Sequence, residues 1–250
     1  MRHETARLRA LDLFCGAGGG ARGLQQASFH VTGVDLAPQP RYCGDAFIQA
    51  DVLDLAPQPQ NCCDAFVRAD ALEYLETADL DCFDFIWASP PCPRFTSMRH
   101  APGTKAHPDL IAPTRALLMR SGKPYCIENV VGAPLNNPVT LCGSMFGLKT
   151  PDGAELRRHR LFETSFPLLA PSCQHGRGPV IGVYGAHSRD RRRPSGTNHK
   201  SGSNRPWEHA FVAIGVPVGS MTLAELSEAI PPAYARFVAE AWLRQSPRAA

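Results

Sequence analysis

Apolar residues in the first half of the chain come in short runs, separated by stretches whose apolar positions recur at helical spacing. Residues 9–14 (RALDLF), 31–35 (VTGVD), 83–88 (FDFIWA) and 125–128 (YCIE) predict strands. Residues 21–28 and 107–121 predict helices, and Leu110, Ile111, Leu117 and Leu118 in the second are spaced to cover one core face. Strands alternating with helices in this way predict a doubly wound α/β fold, a parallel sheet with helices on both sides. Towards the end, 222–226 and 233–244 predict two more helices, divided by Pro231 and Pro232. Residues 164–220 are rich in Gly, Pro and Ser and predict a small irregular subdomain.

One stretch breaks the alternation. Residues 35–53 (DLAPQPRYCGDAFIQADVL) recur directly as 54–72 (DLAPQPQNCCDAFVRADAL), with 13 of 19 positions identical. Two copies are too few for a solenoid, so a tandem duplication is the reading. The second copy runs straight into the helical stretch 71–75 and is expected to supply the sheet strand. The first is expected to be a surface excursion, since lengthening a loop costs little entropy.

Composition changes this picture only slightly. At 250 residues, with 44% hydrophobic and 20% charged residues, the chain suits one large globular domain with a small appendage. It has no run of eighteen apolar residues to span a membrane, and its start has no hydrophobic signal core. Nine scattered cysteines, an odd number, then suggest free thiols and a cytoplasmic location. Charge is uneven. Residues 1–150 hold 13 Lys/Arg against 15 Asp/Glu, a net −2, and 151–250 hold 13 against 8, a net +5. Much of that excess lies in 189–193 (RDRRR), Lys200 and Arg205, among Gly, Ser and Asn, where it suits a phosphate backbone or a solvated loop.

Three segments carry candidate chemistry. In 11–20 (LDLFCGAGGG) a strand runs into a glycine-rich turn and a helix, which lets a ligand approach backbone N–H groups. The turn is neither a GxGxxG nor a Walker loop. The second strand ends in Asp35, where an acid accepts ribose hydroxyls in doubly wound nucleoside sites. In 88–97 (ASPPCPRFTS), Pro90, Pro91 and Pro93 stiffen the backbone around Cys92, just after a strand, which is where a nucleophilic thiol would be held. Glu128 ends another strand and, if that strand neighbours the one before Cys92, emerges at the same edge, where a protonated carboxyl could donate to a ring nitrogen. The cations of 157–160 (RRHR) could orient a phosphate or a polarised carbonyl. Cys142, Cys173 and His175 suggest zinc ligands, but their spacing fits no standard zinc pattern, and the expectation is that no metal is bound.

The ordered motifs DLFCGAGG, VD, SPPCPRFTS, ENV, RRHRLF and AIPP, spanning about 11 to 243, resemble those of the cytosine-C5 DNA methyltransferases, in the short form of phage-encoded members. The resemblance implies a Rossmann-like S-adenosylmethionine-dependent methyltransferase fold: a catalytic and cofactor-binding domain (8–163), a small target-recognition region (164–220), and closing helices that return to the catalytic domain (221–245). It implies S-adenosylmethionine as donor and duplex DNA as partner, with the target cytosine flipped out of the stack by a monomeric enzyme. Cys92 matches the nucleophile that adds to cytosine C6. Glu128 matches the acid at N3, and Arg158 and Arg160 the arginines near the flipped base and its phosphate. Asp12, Phe14, Gly16, Gly18 and Gly19 match the cofactor loop, with Asp35 and Leu36 at the ribose and Asp70, or its repeat mate Asp51, as the acid near adenine. Pro91 matches a proline beside the cofactor.

Three positions depart from the family pattern: Pro93 stands for a Gln after the nucleophile, Leu156 for a Gln opening the arginine motif, and Ser227-Glu228 for a Gly-Asn pair. None of them removes a group that makes or breaks a bond. His175, Tyr184, His187, the arginine run and Trp207 are candidate DNA contacts. Transfer to RNA cytosine, a larger donor group, and a catalytically silent DNA-binding protein are the alternative readings.

Overall fold

The computed structural model describes residues 7–43, 46–47, 65–68, 70–91, 109–184, 187–190 and 205–246. An eight-stranded sheet forms the centre, in the order β3-β4-β2-β1-β5-β6-β9-β7. Strands β1 (Arg9–Leu13), β2 (His30–Asp35), β4 (Ala65–Arg68), β5 (Phe85–Ala88) and β6 (Tyr125–Asn129) run parallel. β9 (Arg160–Thr164) and β7 (Val139–Leu141) complete one edge antiparallel. The four strands expected from the apolar runs all form, and they neighbour one another.

Alternation along the strands divides the core. Ala10 of β1, Phe85 and Trp87 of β5 and Cys126 of β6 face one layer, with Phe29, Tyr234 and Trp242. Leu11, Leu13, Ile86, Ala88 and Ile127 face the other, with Leu75 of α2 (Ala71–Thr77) and Leu117 and Leu118 of α3 (Ile111–Ser121). Each strand is therefore apolar on both sides, as a sheet covered by helices requires. The first layer is made by α1 (Gly19–Gln26) and α6 (Pro232–Leu243), which cross closely. A Cβ at Gly19 would lie 2.5 Å from the Ile230 carbonyl oxygen, so only glycine permits this approach.

The duplication is built in differently from expectation. The second copy supplies β4 beside β2, as anticipated. The first copy is not merely a surface excursion: its β3 (Ala46–Phe47) pairs with β4 as the outermost strand, with Ala46 opposite Ala65 and Phe47 opposite Phe66. The repeat offset equals the pairing offset, so the same dipeptide lies side by side in the sheet. An edge strand has a free row of N–H and C=O groups, and a sequence already suited to pairing there can pair with its own duplicate.

The stretch 164–220 also holds more regular structure than its composition suggests. β10 (Val180–Tyr184) and β11 (His187–Asp190) pair antiparallel, and β8 (Glu155–Leu156) joins β10 in a second sheet. Helix α4 (Trp207–Ile214), which the sequence reading missed, buries Ala210, Phe211, Ala213 and Ile214 against this sheet and Leu226 of α5 (Leu223–Glu228). Thr222 caps α5 in a reciprocal capping box with Glu225.

Candidate active site

The sheet changes direction of progression at β1. From there the chain proceeds outward to β2 and β4, then returns to place β5 and β6 on the other side. In open α/β sheets, ligands bind in the crevice at such a switch point, beyond the carboxyl ends of the strands. Asp35, Pro91, Glu128 and the glycine turn all lie at those ends.

On the β1–β2 side, the Asp35 carboxylate spans two loops. Its Oδ2 accepts from the Gly16 N–H and its Oδ1 from the Ala37 N–H, both at 2.9 Å. Phe14 has φ of 57°, a left-handed conformation rare outside glycine, and Gly18 caps α1 at φ of 86° with no side-chain cap on the helix N-terminus. Leu36 is 64% exposed, an apolar surface directly after the acid. Asp70 follows β4 and caps α2, its Oδ1 accepting from the N–H groups of Leu72 and Glu73. Asp51 lies outside the described residues.

Asp12 lies beneath this loop, 1% exposed. Burial pushes its carboxyl up to about 8; a hydrogen bond from the Ala21 backbone opposes the rise, and the charges of Asp35 and Glu128 add to it. Its Oδ2 is buried with no hydrogen-bond partner among the described residues.

On the β5–β6 side, Glu128 is 5% exposed and pairs with Arg160, Nε to Oε1, at 3.1 Å. Arg160 opens β9, whose antiparallel pairing with β6 sets Phe162 opposite Glu128 and brings the arginine to the crevice. Burial raises the Glu128 pKa above the ordinary carboxyl range, opposed by Arg160, Arg158 and a hydrogen bond with Ser89. Ser89 accepts at its Oγ from the Trp87 indole at 2.9 Å. The expectation that β5 and β6 are neighbours holds, with Ala88 opposite Ile127. Cys92 itself lies outside the described residues, and so does Pro93. Pro91 is the last described residue before them, and it is exposed.

Sequence reasoning missed Asn129. Its side-chain Nδ2 donates to the Pro90 carbonyl at 3.0 Å, and its Oδ1 accepts from the Val130 N–H at 2.9 Å. It was visible in the ENV motif as a buried-strand residue with a polar side chain, which needs a partner.

Arg158 is held by the fold. Its guanidinium donates to the carbonyls of Val183 at 3.3 Å and Ser227 at 2.6 Å, and the Tyr234 hydroxyl donates to its own carbonyl at 2.6 Å. The Ser227 position is thus an anchor for Arg158, while burial and Asp35 raise the neighbouring Glu228 carboxyl. Of the candidate DNA contacts, Trp207 is 46% exposed and packs edge-on against Phe211. The Tyr184 and His187 side chains and most of the arginine run lie outside the described residues.

The sequence of 11–86 matches a family model described as a methyltransferase domain, and the crevice and strand order are those of the Rossmann-like fold of S-adenosylmethionine-dependent methyltransferases. No curated protein sequence matches the chain. Among solved structures it is similar to a protein described as a DNA modification methyltransferase encoded within an E. coli prophage, with 12% identity and a TM-score of 0.53 over 95% of this chain and 99% of that one. It is similar also to the S. pombe Dnmt2 methyltransferase and to the Entamoeba histolytica methyltransferase EhMeth, each at 12% identity and TM-score 0.54, covering 96% of this chain and 99% of theirs. No described helix is long and apolar enough to cross a membrane.

Proposed function

We propose that this chain methylates C5 of cytosine in duplex DNA, with Cys92 as the nucleophile and S-adenosylmethionine as the methyl donor. The observation that carries the reading is the buried Glu128–Arg160 pair at the end of β6, beside the strand that leads to Cys92. C5 of cytosine is a poor nucleophile until a group adds at C6. The Cys92 thiolate adds there, and the ring electrons move toward C5 and N3. Glu128, which burial inclines to the protonated form, donates to N3 and spreads that charge, which stabilises the transition state more than the ground state. Arg160 fixes the Glu128 carboxyl and keeps a cation beside the base. After transfer, loss of the C5 proton and expulsion of the thiolate restore the aromatic ring and the free enzyme. These atoms are inaccessible inside a duplex, so the base must leave the stack, at a cost of a few kcal/mol.

The residues of the crevice fit the donor. Asp35 suits ribose hydroxyls, and the exposed Leu36 suits an adenine face. The bound donor supplies an electrophilic methyl group.

The test is mass spectrometry of nucleosides from DNA and RNA of cells expressing the chain, beside cells expressing Cys92→Ala. 5-Methylcytosine in DNA that needs the cysteine is the expected result. The mark in RNA alone, or a heavier cytosine, would replace the substrate or the donor. Turnover retained by Cys92→Ala would overturn the mechanism.

A further inference from the structure

Four potential metal ligands from three separate segments meet at one point outside the crevice. Cys142 follows β7, His159 precedes β9, and Cys173 and His175 lie in the loop that leads to β10. The β7–β9 register explains the first pair: Leu141 lies opposite Arg160, so one step further sets Cys142 opposite His159. The loop then brings in the Cys-x-His pair. All four ligand atoms lie within 4.8 Å of one another. Cys142 Sγ is 3.4 Å from His175 Nε2, and Cys173 Sγ is 3.5 Å from His159 Nε2 and 2.7 Å from His175 Nε2.

We propose that Cys142, His159, Cys173 and His175 bind one structural zinc ion. Zinc bonded at about 2.3 Å to sulfur and about 2.0–2.1 Å to nitrogen in a tetrahedron sets sulfur and nitrogen ligands about 3.5 Å apart. Two of the three sulfur–nitrogen distances already have that value, and closing on an ion would lengthen the third. Two thiolates with two imidazoles in a closed tetrahedral set select zinc over the hard, oxygen-seeking cations. Binding releases the two thiol protons.

The ligand spacing hid this site, because no two of the three segments form a familiar zinc motif. His159 was hidden further by its place between Arg158 and Arg160. The placement also gives the ion a purpose. Arg157 of the same run pairs with Glu155 at 2.7 Å and reaches the Gly176 carbonyl, next to His175. A zinc ion here fastens the root of the 164–180 loop to the strand whose first residue, Arg160, holds Glu128.

The test uses the full chain, purified under reducing conditions, with zinc measured by plasma mass spectrometry and cobalt(II) substituted for it. The expected result is about one zinc per chain and a cobalt form with the thiolate charge-transfer and intense d–d bands of a tetrahedral site. His175→Gln and Cys173→Ser lie on the more open side and spare the buried Cys142. Each should lower zinc retention against a competing chelator at least about tenfold while far-ultraviolet circular dichroism is kept. Zinc-free protein with both thiols open to alkylation would overturn the proposal. So would a Cys142–Cys173 disulfide, or zinc held equally well by both variants.

Discussion

Asn129 holds the Pro90 carbonyl at 3.0 Å, so the end of β6 fixes the last described residues before Cys92. One side chain therefore couples the strand of Glu128, the proposed acid, to the segment that leads to Cys92, the proposed nucleophile. Asn129→Ala removes that bond and leaves the Pro90 carbonyl and the Val130 N–H without their partner. It should lower kcat for methyl transfer by about 100-fold, the cost of misplacing a reacting group. Stability should fall by only about 1–3 kcal/mol. Single-turnover kinetics beside urea denaturation separate the two effects, and an unchanged kcat would remove the positioning role.

Asp12 makes stability depend on pH with a definite sign. In the unfolded chain its carboxyl titrates near 3.8, and in the fold burial holds it up to about 8. Through that window the folded state retains a proton that the unfolded state has lost. The contribution of Asp12 to stability therefore falls as pH rises, by at most about 1.4 kcal/mol per pH unit. Asp12→Asn should flatten this slope in urea denaturation between about pH 5 and about pH 7. An equally steep slope in the variant would assign the effect to other groups.

Arg115 pairs with Glu163 at 2.7 Å through its Nε and one terminal guanidinium nitrogen, and Glu163 is 4% exposed. The pair ties α3 to β9, and Glu163 also accepts from the Asn136 N–H at 2.7 Å. Arg115→Met should cost about 3–5 kcal/mol, because it leaves a buried carboxylate without its cation. Arg115→Met combined with Glu163→Leu should recover most of that loss. Chemical denaturation of the single and double variants gives the comparison.

Gly19 is expected from the family resemblance to serve the cofactor loop, yet its closest constraint is the Ile230 backbone. Gly19→Ala should destabilise the α1–α6 packing by about 1–3 kcal/mol, as overpacking does, with donor affinity of the folded protein little changed. Calorimetric titration with S-adenosylmethionine decides the matter. Weaker binding at unchanged stability would return the residue to the cofactor.

The parts legible in the sequence were those encoded by local pattern. Asp35 and Glu128 stood out because each ends an apolar run, and strand ends in an α/β sheet are where ligands bind. Helix α4 was missed because the Gly, Pro and Ser around it outweighed eight residues of helical spacing. The architectural commitment of Arg158 was not legible either, since its partners Val183 and Ser227 are distant in sequence. The convergence of Cys142, His159, Cys173 and His175 depends on strand register and a returning loop. Neither is written in the spacing of the residues.

The duplication starts at Asp35, the residue that grips Gly16. Excising residues 35–53 would therefore restore a Val-Asp-Leu junction, with Asp54 and Leu55 taking the places of Asp35 and Leu36. The outermost strand would vanish and β4 would keep its neighbour β2. One substitution in the packing would matter. Tyr42, whose ring covers Gly33, would be replaced by Asn61, while Cys43 would be replaced by another cysteine, Cys62. Contraction by one unit should thus cost on the order of 2 kcal/mol, the loss of one partly buried ring. Recombination between the two copies would thus remove one of them without rewriting the acid that ends β2.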